Sequence, residues 1–151
     1  MQILVSIDDT DNLESPGTGA LASRIAADLE RNCWGKSSFV TRHQLLVHPD
    51  IPYTSHNSAM CFSAKIEADC LEKVINYAAG FLARESAVGS DPGLCIAVLD
   101  HLPQFNELIV YGQTAKTVLL DGKAVLMVVP TDGTADSVRW QTCSRKQPKI
   151  Y

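Results

Sequence analysis

Three carboxylates stand within four residues at Asp8, Asp9 and Asp11, directly after the apolar stretch that ends at Ile7. Acids this close repel one another and raise each other's pKa unless something positive compensates them. Magnesium meets that need, because it takes hard oxygen ligands, keeps several waters and commonly bridges to phosphate. The plainer alternative is a solvated turn, where Asp is frequent for local hydrogen-bonding reasons. Next comes Pro16-Gly17-Thr18-Gly19. Two glycines beside a threonine let the backbone approach a phosphate closely, and a helix opening there offers free N–H groups to an anion. Thr18 is then either an ordinary N-cap or a hydroxyl nucleophile placed beside the acids. The residues proposed for catalysis are therefore Asp8, Asp9, Asp11 and Thr18, with the three aspartates also the metal ligands. Thr10, Gly17 and Gly19 are expected to contact nucleotide.

A second polar segment, Pro52-Tyr53 through His56-Asn57, is a loop that can return toward the same strand end. His56 and Asn57 join the nucleotide-contact candidates, against a surface-loop reading for the histidine. Arg42 reads as solvated strand-edge charge rather than a phosphate ligand, and Tyr53 as core rather than a base-stacking ring. Cys61 and Cys95 read as small buried hydrophobes.

The elements that position these residues follow from periodicity. Gln2 to Ile7 reads as a largely buried strand and Asp8 to Gly17 as a loop. Ala20, Leu21, Ile25, Ala26 and Leu29 have helical spacing from Thr18 to about Asn32. A strand is expected within Ser38–His48 and another over Ser58–Ile66. A helix follows from Asp69 to about Arg84, and a strand over Leu94–Leu99 after the turn Ser90-Asp91-Pro92-Gly93. Further on, a short helix within Phe105–Lys116 and a hairpin across Asp121-Gly122 are expected. The order β-α-β-β-α-β predicts an α/β (α+β) sandwich with helices packed on a mixed sheet. Residues 1–131 read as one catalytic-like domain. Residues 132–151 read as a divergent, loosely held C-terminal arm.

Composition narrows the function classes. The chain has 151 residues, 46% hydrophobic and 20% charged, enough for one packed domain. Its net charge of −4 argues against a dedicated nucleic-acid grip without excluding a transient RNA substrate. The longest apolar runs, Leu94 to Leu99 and Ala124 to Val129, fall far short of the ~20 residues that span a bilayer. Five cysteines form no CxxC pair, which points to reduced thiols and a cytoplasmic protein.

Three stretches in the same order resemble the kinase-like catalytic region of the archaeal isoleucine-tRNA agmatinylcytidine synthetase family. They are Ile7 to Asp11 with Thr18, then Asp50-Ile51-Pro52-Tyr53-Thr54 with His56-Asn57-Ser58-Ala59, then Asp91-Pro92-Gly93. The resemblance covers roughly residues 1–100 and implies a short stand-alone relative. That family uses ATP to activate a cytidine of tRNA by phosphorylation before attaching agmatine. The resemblance thus implies ATP and Mg2+ as cofactors, Asp8, Asp9 and Asp11 as metal or catalytic acids, and Thr18 as an autophosphorylated residue. Nucleotide is the implied partner, and tRNA a further one, although the family's accessory tRNA-binding domains have no counterpart in this sequence. Two other readings of the residues stay open: a non-catalytic nucleotide- or metal-binding module, and a phosphohydrolase built on Asp9-Thr10-Asp11.

Overall fold

A computed structural model of the chain describes residues 1–51, 53, 56–101, 109, 110, 112–114, 116, 117, 138–142 and 149–150. The first strand, β1 (Gln2–Asp8), puts Ile3, Val5 and Ile7 on one face, all at most 1% exposed. Burial alternates along it, although Leu4 makes the run Ile3–Val5 continuously apolar. Helix α1 (Thr18–Arg31) follows and buries Leu21, Ala22, Ile25, Ala26 and Leu29. Two short strands come next, β2 (Gly35–Ser37) and β3 (Thr41–Gln44), before the longer β4 (Ser58–Ile66). A 3-10 turn over Ala68–Cys70 leads into α2 (Leu71–Glu85), and β5 (Gly93–Val98) closes the unit.

β1 lies between β4 and β5, antiparallel to both, with Val5 opposite Phe62 on one side and Ile96 on the other. β2 and β3 both pair antiparallel with β4, at its two ends: Gly35 faces Ile66 and Gln44 faces Ser58. β1 and the β2/β3 pair therefore run in the same direction with β4 between them, the split β-α-β arrangement of ferredoxin-like folds. Every described pairing is antiparallel. The class is α+β, a sheet with helices packed on it, as the element order predicts, with antiparallel pairing among the described strands where a mixed sheet is expected.

Both helices cover the same face of the sheet. One core cluster joins Ile3, Val5 and Ile7 to Phe62, Ile66, Leu94 and Ile96 of the neighbouring strands, and to Ile25 and Leu29 of α1 and Val74 and Leu82 of α2. The opposite face carries Ser6 between Cys61 and Cys95, and these are only partly covered. Gly35 is required where β2 meets β4, because a Cβ there would stand 2.2 Å from the Lys65 carbonyl oxygen.

Element boundaries differ in places from the sequence expectations. The strand expected within Ser38–His48 is the short β3, and a further strand, β2, precedes that window; between the two Phe39 is 95% exposed. Leu45–Val47 fall outside both strands. Helix α2 starts after a 3-10 turn rather than at an Asp69 cap. Within the expected C-terminal arm, β6 (Val138–Thr142) pairs with β5 and β7 (Lys149–Ile150) pairs with β6. Residues 109, 110 and 112–114 are helical, while the expected hairpin across Asp121-Gly122 lies outside the described residues. Cys33, Cys61, Cys70 and Cys95 are free thiols. Among the described residues no helix is long and apolar enough to cross a membrane.

Candidate active site

The site is built where β1 ends. Asp8 is the last residue of β1, and its Oδ1 accepts the Asp9 backbone N–H at 2.8 Å. Asp9 then takes a positive φ of 46°, a conformation Asp tolerates better than most residues and one that turns the chain sharply off the strand. Asp9 Oδ2 accepts the backbone N–H of Asp91 at 3.3 Å, so the turn before β5 is tied to the acidic loop. The backbone N–H of Ala87 donates to the Thr10 carbonyl at 3.0 Å and fixes the other side. Beyond Thr10 the loop bonds to itself. Asn12 N–H donates to Ser15 Oγ at 2.9 Å, and Glu14 N–H to Asn12 Oδ1 at 3.0 Å.

Gly17 hands the loop to α1. It is the N-cap, with φ 88° and ψ 154°, and no side chain caps the first turn. Thr18 is therefore the first helical residue rather than the cap, and its hydroxyl is engaged elsewhere. Thr10 Oγ1 donates to Thr18 Oγ1 at 3.0 Å, with Thr10 1% and Thr18 6% exposed. This buried pair staples the loop to the helix.

A cavity of about 440 Å³ opens in front of these residues. Asp8, Asp9, Asp11, Gly17, Thr18 and Gly19 form one wall. His56 and Asn57 line it from the segment that leads into β4, so every residue expected to serve the site reaches the cavity except Thr10. Thr10 lies beneath the wall, buried against Thr18, and does not line it. The Asn57 amide donates to the Leu46 carbonyl and holds the loop in place.

Burial pushes the Asp8 carboxyl above its ordinary value, and the charges of Asp9 and Asp11 push the same way against the Asp9 N–H bond. Burial also raises Asp9, with Asp91 and Asp11 adding to the effect. Such a cluster favours a cation or a proton. The donor set is all hard oxygen, which fits magnesium. Among the described residues, however, no group of three or more His, Cys, Asp or Glu side chains is gathered closely enough to hold a metal alone. One or two carboxylates with waters and substrate phosphate suffice for magnesium.

Sequence reasoning missed several members of the site. Arg42 is exposed on β3, as the strand-edge reading expects, yet it also lines the cavity, and its Nε donates to Ser58 Oγ at 3.1 Å. Tyr53, read as core, is 47% exposed and borders the cavity with Ile51. Asp91 enters through its backbone and charge, a role that the turn signal Asp91-Pro92-Gly93 does not convey.

No protein-family model matches the chain, and no curated protein does. Solved structures share its fold. The complex of TiaS with an isoleucine tRNA and ATP superposes with a TM-score of 0.71 at 22% sequence identity. Apo TiaS, described as a tRNA agmatidine synthetase, gives 0.69 at 22%, and so does the TiaS complex with the same tRNA, AMPCPP and agmatine. Each match covers 85% of this chain and 30% of the other. The likeness is one of fold. This chain spans less than a third of the length of the TiaS chains it resembles.

Proposed function

We propose that this chain is a magnesium-dependent, ATP-binding phosphotransferase-like unit acting in tRNA modification, with Thr18 as an acceptor of the transferred phosphoryl group. The observation that carries the reading is the cavity at the end of β1, where Asp8, Asp9 and Asp11 share a wall with Thr18. The fold shared with TiaS, which is solved with ATP and tRNA, supports the choice of nucleotide and of tRNA as the wider context.

Asp8 and Asp9 would hold magnesium, with Asp11 ligating directly or through water. When bound, the ion neutralises charge on the phosphoryl group in transit. The chain's own residues do the rest. The bond from Thr10 fixes the rotamer of Thr18 and leaves the Thr18 O–H proton to point elsewhere. The glycines on either side of Thr18 keep its surroundings free of side-chain bulk. A carboxylate oxygen of the acidic wall that the ion leaves free would take the proton from the attacking hydroxyl.

A second reading, a binding module without self-transfer, is favoured by the burial of Thr18 at 6% exposure. Incubation of the full chain with γ-labelled ATP and magnesium, followed by peptide mapping, separates the two. Label on the Thr18 peptide, absent from Thr18→Val, is the expected result. ATP binding without label transfer gives the second reading, and neither binding nor turnover refutes both.

A further inference from the structure

The acidic wall of the cavity has a cationic counterpart. Arg42 sits on β3 opposite Met60, which is itself opposite Ile7 of β1. That register places Arg42 on the helix-covered side of the sheet, across the cavity from the acidic loop. Three carboxylates lining the same cavity would be natural ion-pair partners for it. Yet among the described residues no acid lies within ion-pair distance of Arg42. Its one described hydrogen bond goes from Nε to Ser58 Oγ, and Ser58 is only 9% exposed. A buried hydroxyl thus anchors one edge of the guanidinium, leaving the two terminal nitrogens for something else. Arginine presents these donors as a planar fork matched to the oxygens of a phosphate.

We infer that Arg42 is the phosphate-binding residue of this cavity, its fork receiving the terminal phosphate of a polyphosphate whose other oxygens face the acidic wall. The inference rests on the nucleotide reading above and deepens it. It divides the cavity into a metal side and an anion side. A bare carboxylate cluster would repel a triphosphate, and the guanidinium adds attraction to that of the metal. Ser58 is then a positioning residue that acts through Arg42. The arrangement also selects for chain length, since a nucleoside or monophosphate held at the acidic wall falls short of the far side.

Calorimetric titration of the full chain, in excess magnesium throughout, tests this with MgATP, MgADP, AMP and inorganic tripolyphosphate. Wild type is compared with Arg42→Ala, Arg42→Lys and Ser58→Ala, each first checked for a native melting transition. Arg42→Ala should weaken MgATP and tripolyphosphate at least tenfold and leave AMP within twofold. Arg42→Lys should recover only part, because an ammonium lacks the fork. Ser58→Ala should weaken MgATP severalfold, and that loss should vanish in an Arg42→Ala background. Undiminished MgATP and tripolyphosphate binding by Arg42→Ala overturns the assignment while leaving the nucleotide reading intact. Wild type that binds tripolyphosphate through Arg42 but ignores MgATP keeps the assignment and sinks the nucleotide reading. Wild type that binds neither refutes both.

Discussion

The staple between Thr10 and Thr18 makes an asymmetric prediction. In Thr18→Val the methyl group and approximate volume stay, and Thr10 Oγ1, 1% exposed, loses its acceptor. An unsatisfied buried hydroxyl costs ~1–3 kcal/mol. In a domain of this size each kcal/mol lowers Tm by ~2–4 °C. Thr10→Val leaves the opposite partner orphaned. Thr18 borders the cavity, so its hydroxyl can turn to water, and the loss should be nearer ~0.5–1.5 kcal/mol. With both replaced, no polar group is left unpaired and the double variant should be more stable than Thr18→Val alone. Urea denaturation of all four proteins at one pH gives the cycle. A double variant whose loss equals the sum of the two single losses would show that the two hydroxyls do not interact. A Thr18→Val protein as stable as wild type would show that Thr10 finds another partner.

Other consequences follow from the same site. Gly17→Ala should cost ~1–3 kcal/mol from backbone strain alone, since φ 88°, ψ 154° is a glycine conformation and the nearest atom to the new Cβ is 3.8 Å away; an unchanged denaturation midpoint would contradict that. Asp8 and Asp9 bind protons more tightly in the fold than in the unfolded chain, so metal-free stability should fall as pH rises from their ordinary value of 3.8 through their raised values. Above that window Asp8→Asn should melt higher than wild type in EDTA, and below it the two should converge; a lower melting point at neutral pH would refute this. Burial pushes the Cys95 thiol up to about 12 and raises Cys61, while Cys33 is exposed. Mass spectrometry after brief iodoacetamide treatment at pH 8 should find Cys33 alkylated first and Cys95 last among these three. Equal rates would rule out the burial described.

Much of the site is legible in the sequence because its residues are neighbours along the chain. Ile7 to Thr18 spans a strand end, a loop and a helix start, so a local reading of charge and glycine spacing reaches the wall that those residues form. Ser58–Ile66 is legible as a strand because its alternation is backed by burial on one face only. Arg42 and Tyr53 are not. The place of Arg42 depends on two short strands sharing one edge of β4, a tertiary pairing that leaves no periodic trace over three or four residues, and Tyr53 lies in the loop between β3 and β4. Thr18 reads equally well as a cap because nothing local says that its hydroxyl turns to Thr10. β6 is obscured by composition: Val138, Trp140 and Thr142 alternate with Arg139 and Gln141, but the polar surroundings hide a run of five. The Arg42 edge of the cavity is therefore set by tertiary pairing, and the acidic edge by residues that are neighbours along the chain.

Whether ATP binding requires magnesium through the acids at the end of β1 is the most direct test of the proposed chemistry. Calorimetry of ATP into the full chain, with magnesium and then with EDTA, should give saturable binding only with the ion, and Asp8→Asn/Asp9→Asn should abolish that dependence. Binding that is equal in EDTA, or unaltered by the double substitution, would contradict it.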